Sequence, residues 1–281
     1  MITIQEAWQL GRAKLAASPS PLLDARLLLA HVLDQDHVYL VTHYDQLLTG
    51  GQYTSYQHLI HRATHNEPIP YLVGKAHFFG QEFNVTPAVL IPRPETEQLV
   101  ELAIEWGRSR DHLRIIDVGT GSACIAASLA AHLSQAEITG SDISTAALMV
   151  ASLNAAQLAP GRVNLVQADL LKPFSSGIDL IVANLPYVAA HEWSELADGV
   201  KFFEPAIALR GGPDGLNLIR RLLPQARERL TPGGMVILEI GWQQGDASRN
   251  LAREVFPDAE IEVIIDFAGL DRLVVIRTGK L

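Results

Sequence analysis

Leu113-Arg114-Ile115-Ile116-Asp117-Val118-Gly119-Thr120-Gly121-Ser122 is a short β-branched run that stops on two glycines one residue apart. A run of this length and composition reads as a strand buried on both faces. The glycines let the chain turn sharply at its end and bring backbone N–H groups against a ligand. Outward from this stretch the same rhythm recurs. Strands are predicted over 113–118, 137–141, 163–167, 178–183 and 235–240, with helical stretches between most of them, among them 144–158 and 216–230. Strand–helix alternation builds a parallel sheet with helices on both faces. The end differs, because 261–266 and 273–277 flank Ala268-Gly269-Leu270-Asp271 and read as an antiparallel hairpin. The class is α/β: a doubly wound, mostly parallel, seven-stranded Rossmann-like sheet.

Before this region the periodicity is helical. Thr3 is placed to cap a helix carrying Ile4, Ala7, Trp8, Leu10 and Leu15. Pro21 suits the start of a second helix, on which Leu23, Leu27, Ala30 and Leu33 recur at helical spacing. A third spans 53–65, and His58, His61 and His65 share one face of it. With no carboxylate or thiolate at ligand spacing, a solvated face explains them better than a metal site, and no metal is expected. Short loops between these stretches predict a small bundle. The run His77-Phe78-Phe79-Gly80-Gln81-Glu82-Phe83-Asn84 and onward to Pro92 reads as a hairpin. The expected organisation is a helical domain over 1–75, a hairpin linker over 76–92 and an α/β domain over 93–281. A helix over 98–106 opens the last of these.

Hydrophobic residues make up 48% of the 281-residue chain and charged residues 19%, a globular balance. Lys and Arg number 22 against 31 Asp and Glu, so the net charge is −9, the wrong sign for a nucleic-acid footprint. A single cysteine, Cys124, excludes an intramolecular disulfide and fits a reducing compartment. No apolar run is long enough to span a bilayer, and the first residues carry no export pattern. A cytoplasmic monomer that binds neither membrane nor nucleic acid stably is expected.

A doubly wound sheet finished by a reversed strand resembles the architecture of methyltransferases that use S-adenosylmethionine. Two details of the glycine loop turn it away from a dinucleotide. Cys124 holds the position of a third glycine, and Asp117 stands where a pyrophosphate would be repelled but a sulfonium with an ammonium tail attracted. The next strand ends in Asp142, which can accept from two ribose hydroxyls or cap the following helix, or do both. The third ends in Asp169-Leu170. Asp169 suits either the adenine amino group or a plain strand-end turn, with Leu170 against the ring. Cys124 reads as a small packing residue, not a nucleophile.

Ile181-Val182-Ala183-Asn184-Leu185-Pro186-Tyr187 is the most informative stretch. A buried strand ends in a tetrapeptide at the carboxyl edge of the sheet, where α/β enzymes bind ligands. It resembles the Asn-Pro-Pro-Tyr motif of methyltransferases that modify planar NH2 groups. Such a nitrogen is a poor nucleophile because its lone pair is delocalised. With Asn184 Oδ1 and the Leu185 carbonyl each accepting one N–H, the nitrogen is oriented and its developing positive charge stabilised. Tyr187 offers a flat face for stacking. Leu185 replaces the usual proline, but Pro186 already holds its predecessor extended.

Adenine and glutamine both fit this tetrapeptide. The chain as a whole resembles the protein-(glutamine) N-methyltransferases of bacterial-type peptide chain release factors. The resemblance is carried by Glu67-Pro68-Ile69-Pro70-Tyr71-Leu72-Val73-Gly74, Phe78-Phe79-Gly80, Leu90-Ile91-Pro92-Arg93-Pro94-Glu95-Thr96-Glu97, Asn184-Leu185-Pro186-Tyr187 and Phe203-Glu204-Pro205-Ala206 in order. It implies the glutamine of a Gly-Gly-Gln loop as acceptor and S-adenosylmethionine on Gly119, Thr120, Gly121, Ser122, Ala123, Asp142 and Asn184. Asn184, Leu185, Pro186 and Tyr187 would hold the acceptor amide, with Asn184 and Tyr187 catalytic. Ala123 stands where glycine is common and Leu170 where an aromatic is, which implies looser packing of adenine. A sister enzyme acting on a ribosomal protein shares nearly every motif. A DNA adenine methyltransferase lacks support in the charge and in the absence of a basic recognition domain. A non-catalytic cofactor-binding adaptor is a poor match to an intact Asn184 and Tyr187.

Overall fold

The computed structural model describes residues 2–279. The chain forms two compact units, Met1–Lys75 with Ala197–Phe203, and Ala76–Leu196 with Glu204–Leu281. The first holds α1 (Ile4–Lys14), α2 (Pro21–Leu33), α3 (His37–Thr42), α4 (Gly50–Thr64) and α5 (Ile69–Val73). Thr3 caps α1 in a reciprocal box with Glu6, and Pro21 opens α2, both as expected. One core joins Ile4, Ala7 and Leu15 to Ala25, Leu28, Leu29, Leu40, Tyr56 and Ile60. The expected face of α2 is rotated. Leu22, Leu23 and Leu27 are exposed while Ala25, Leu28 and Leu29 are buried, and Leu10 of α1 is exposed too. Leucines lie on every side of α2, so spacing alone does not single out its core face.

The second unit starts on a hairpin of β1 (Lys75–Phe78) and β2 (Gln81–Asn84). Phe79 and Gly80 both adopt left-handed φ, the conformation of a two-residue turn matched to strand twist. Phe78 and Phe83 drop into the core, meeting edge-to-face at 6.1 Å. Then follow α6 (Glu97–Gly107), β3 (Arg114–Val118), α7 (Cys124–His132), β4 (Glu137–Asp142), α8 (Thr145–Leu158), β5 (Val163–Gln167), β6 (Ile178–Ala183) and β7 (Val188–Ala189). After α9 (Asp198–Phe203), which belongs to the first unit, come β8 (Arg210–Gly212), α10 (Asn217–Arg229), β9 (Leu230–Glu239), α11 (Gly245–Val255), β10 (Glu260–Ile265) and β11 (Asp271–Arg277).

Seven strands make one sheet in the order β10-β11-β9-β6-β3-β4-β5. Only β11 runs against its neighbours, pairing antiparallel with β9 and β10. Alternate residues feed two cores. Ile115, Leu180, Val182, Ile237 and Val275 face one, while Ile116, Ile181, Ala183, Val236 and Val274 face the other. Burial on both faces is why these strands read as continuous apolar runs. The chain leaves β3 towards β4 on one side and returns with β6 on the other. That reversal opens a crevice beyond the carboxyl ends of β3 and β6.

Candidate active site

A cleft of about 700 Å³ occupies this crevice. Its floor is the loop from Gly119 to Ser122. Gly119 takes a φ of +75°, and both Gly119 and Thr120 donate backbone N–H groups to Ser141 O at 2.8 and 2.9 Å. The loop lies so close to β4 that a Cβ on Gly140 would stand 2.7 Å from Thr120 Oγ1. Asn154 of α8, fully buried, donates to Ser122 O at 2.9 Å and to Asn84 O at 3.0 Å, tying the loop to the β2 end of the hairpin. Nothing in the sequence marks this asparagine.

Asp117 lies beneath the loop. Its Oδ2 accepts from the Thr120 hydroxyl at 2.6 Å and Ala126 N at 3.2 Å, while Oδ1 is buried without a hydrogen-bond partner. Burial pushes its carboxyl up to about 7, against the pull of those two donors. A carboxylate raised in this way takes up a proton in the folded chain that the unfolded chain does not. Its contribution to stability is therefore complete below pH 3.8, the ordinary value, and lost as pH rises through about 7. Urea unfolding of the unliganded protein should accordingly show stability falling between those limits. An Asp117→Asn variant should show a shallower fall, and an unchanged slope would locate the uptake elsewhere.

Asp142 braces the glycine loop and does not cap α8. Oδ2 accepts from Gly121 N at 3.0 Å and Oδ1 from Ser144 N at 2.9 Å, closing the glycine loop, but the cap of α8 is Ser144. Each oxygen keeps a second lone pair, and Asp142 lines the cleft. Asp169 also lines it, paired at 2.7 Å with both Lys172 and Arg221, which hold its carboxyl below the usual range. Leu170, at a left-handed φ, forms apolar wall with Ile143 and Ala168. Ala123 is not among the lining residues. It sits fully buried at the head of α7 with a φ of 63°, which is why glycine is common there, and its methyl packs into the core. Cys124 is buried, and that burial pushes its thiol up to about 12, so it stays protonated at neutral pH.

The opposite wall contains Asn184, Leu185 and Pro186, directly after β6. Asn184 Nδ2 donates to Thr96 Oγ1 at 3.1 Å, and the Thr96 hydroxyl donates to Glu239 Oε2 at 2.6 Å. Tyr187 stands behind the wall. Its hydroxyl reaches Glu239 Oε1 at 3.4 Å and its carbonyl accepts from Gln244 at 2.8 Å, so the phenol has a partner that a purely stacking ring does not need. Burial, then the charge of Glu239, raise its hydroxyl above the ordinary value. Among the described residues, no donor reaches Asn184 Oδ1. Two residues here escape sequence reasoning as site residues. Thr96 is one letter of a longer motif, and Glu239 is only an acid at the end of an apolar strand.

The rim is braced by Arg93 and Glu204. They form an ion pair in which Glu204 is buried, and Glu204 Oε2 also accepts from Ile91 N at 3.2 Å. Leu90, Pro92, Ala206 and Ile207 around this pair line the cleft. Two of the ordered motifs thus meet in one contact.

Residues 6–74 match the family described as PrmC N-terminal domain, and residues 109–238 match a methyltransferase domain family. A release factor glutamine methyltransferase of Koribacter versatilis is 40% identical over 98% of this chain and 99% of its own. The chain belongs to the release factor glutamine methyltransferase family. Another member, from Bordetella pertussis, is 40% identical over 92% of this chain and 96% of its own length. A methyltransferase structure from Pyrococcus furiosus superposes with a TM-score of 0.54 at 17% identity, over 72% of this chain and 91% of that one, a likeness of fold. The methyl donor of this family member is S-adenosylmethionine. The cleft suits it: acceptors at Asp142 and Asp169, an apolar wall at Ile143 and Leu170, and a loop drawn tight around Gly119.

Proposed function

We propose that this enzyme methylates the side-chain amide nitrogen of the glutamine in the Gly-Gly-Gln loop of peptide chain release factors. Forty per cent identity to a release factor glutamine methyltransferase across 98% of the chain carries the reading. S-adenosylmethionine, when bound, supplies an electrophilic methyl group. The chain's own residues orient the acceptor. Asn184 Oδ1 and the Leu185 carbonyl accept the two N–H bonds of the glutamine amide, fixing the nitrogen and stabilising positive charge as it develops. Pro186 holds that carbonyl in an extended turn, and Tyr187, expected from sequence to stack on the planar group, stands behind the wall, where its ring supports the turn. The methylated nitrogen becomes acidic enough to release its proton to solvent, so no strong base is required. Gly119, Thr120, Gly121 and Ser122 form the cofactor loop, with Ala123 packed beneath it, Asp142 at the ribose and Asp169 and Leu170 at the adenine.

The test is transfer of labelled methyl to purified acceptors. Release factor should be labelled, while ribosomal proteins and adenine-containing DNA should not. Label on a ribosomal protein alone would move the enzyme to the sister activity.

Asp142→Ala should weaken S-adenosylmethionine binding by about 1–3 kcal/mol, through loss of a charged acceptor and of the brace on Gly121. Calorimetry showing an unchanged Kd would place the ribose elsewhere.

The helical domain over 1–75 is assigned to recognition of the acceptor protein, and the exposed row Leu22, Leu23 and Leu27 supports this, since the bundle core does not use it. Replacing Leu23 and Leu27 together by Asp should raise KM for intact release factor by about tenfold, roughly 1.4 kcal/mol. KM for a short Gly-Gly-Gln peptide should not change. Equal effects on both substrates would give α2 no part in recognition.

A monomer that meets its release factor transiently remains the reading from sequence. The net charge of −9 disfavours a stable nucleic-acid partner, no helix among the described residues is long and apolar enough to cross a membrane, and a cytoplasmic location follows the proposed substrate.

A further inference from the structure

We propose that Thr96 and Glu239 are positioning residues whose hydrogen-bond polarity decides which end of the Asn184 amide faces the cleft. The inference rests on the reading that Asn184 holds the acceptor amide. An ionised carboxylate can only accept. The Thr96 hydroxyl has one proton, and at 2.6 Å from Glu239 Oε2 that proton is committed to the carboxylate. Towards Asn184 the hydroxyl therefore has only a lone pair to offer. Nδ2 must face it, as it does at 3.1 Å, and Oδ1 is left for the acceptor N–H.

A protonated Glu239 reverses the chain. Its hydroxyl donates to Thr96, the Thr96 proton turns to Asn184, and the amide flips to present Nδ2 to the cleft. Two donors then oppose each other where the glutamine nitrogen should be held. Glu239 also accepts from Tyr187 through Oε1, so one buried carboxylate governs the first and last residues of the tetrapeptide.

The surroundings bring this carboxylate into the range where its proton matters. Burial raises its pKa, bonding to Thr96 and the charge of Arg272 lower it, and Glu95 raises it again, leaving it at about 7. Arg272 is itself paired with Asp266 at 3.0 Å, on the turn between β10 and β11, and Tyr187, Thr96 and the Cys124 thiol also face Glu239.

The test uses the full chain with purified release factor and S-adenosylmethionine, both saturating. Thr96→Val should lower kcat by about tenfold or more while the cofactor Kd, measured by calorimetry, stays within about threefold. Thr96→Ser, which restores the hydroxyl, should return kcat to within about threefold of the unaltered enzyme. In the unaltered enzyme kcat should fall as pH drops through about 7. Glu239→Gln cannot lose a proton, so that acid limb should vanish from its profile.

Full activity in Thr96→Val, equal damage by Val and Ser, or an acid limb unchanged in Glu239→Gln each overturns the proposal. Should Thr96→Val not fold, the two pH profiles decide alone. Asn184→Ala in the same assay separates the levels. If it is slow and Thr96→Val is not, the polarity relay fails and the acceptor reading stands. If Asn184→Ala is itself fully active, the acceptor reading has failed.

Discussion

Asn184→Ala is expected to lower kcat by about a hundredfold or more at saturating cofactor, the scale for losing one preorganised contact to developing charge. The side chain lines the cleft directly after β6, and its Oδ1 has no protein donor among the described residues, so the substituted enzyme has no replacement for it. Because Asn184 also borders the cofactor loop, the cofactor Kd must be measured separately and rates compared at saturation. Tyr187 gives the contrast. Tyr187→Phe keeps the ring but frees Glu239 Oε1, so a loss of several-fold is expected, well short of the loss in Tyr187→Ala. Equal damage by Phe and Ala would assign the role to the hydroxyl and remove the ring from the account.

Glu204→Ala is expected to destabilise the protein by about 2–4 kcal/mol. Deleting one partner of a buried ion pair strands the other, although Arg93 keeps 31% of its side chain exposed, which moderates the cost. The Ile91 N–H loses its acceptor in the same change. Leu90, Pro92 and Ala206 flank this contact in the cleft wall, so cofactor affinity should fall with stability. Glu204→Gln retains an acceptor for Ile91 and should cost less. Denaturant midpoints of the three proteins decide it, and an Ala variant as stable as the parent would make the ion pair decorative.

The sheet was legible because its central strands are buried on both faces and its edge strands keep a β-branched, apolar run. Runs such as Ile178–Ala183 and Val163–Gln167 carry few other interpretations, and their predicted limits coincide with the observed strands. The antiparallel end was legible from a glycine turn between two apolar runs. Several short elements without a strong apolar run were not. α3, α5, α9, β7 and β8 are too short for any period to register, and nothing in its composition ties Ala197–Phe203 to the first unit. Leucines all round α2 hid which face is buried. At the site, glycines and strand-end acids announced themselves by local pattern. Thr96 and Glu239, 143 residues apart, are joined only by the fold. Asp117 shows the opposite limit: its position was evident from sequence, but its burial beneath the loop was not.

The central claim is that this cleft presents a glutamine amide to the methyl donor. Peptide mapping by mass spectrometry of release factor incubated with the enzyme and S-adenosylmethionine tests it most directly. The account predicts a single added methyl on the side-chain nitrogen of the Gly-Gly-Gln glutamine, absent when Asn184→Ala replaces the enzyme. A methyl group on any other residue, or none on a release factor that a parallel assay shows to be folded and accessible, would contradict it.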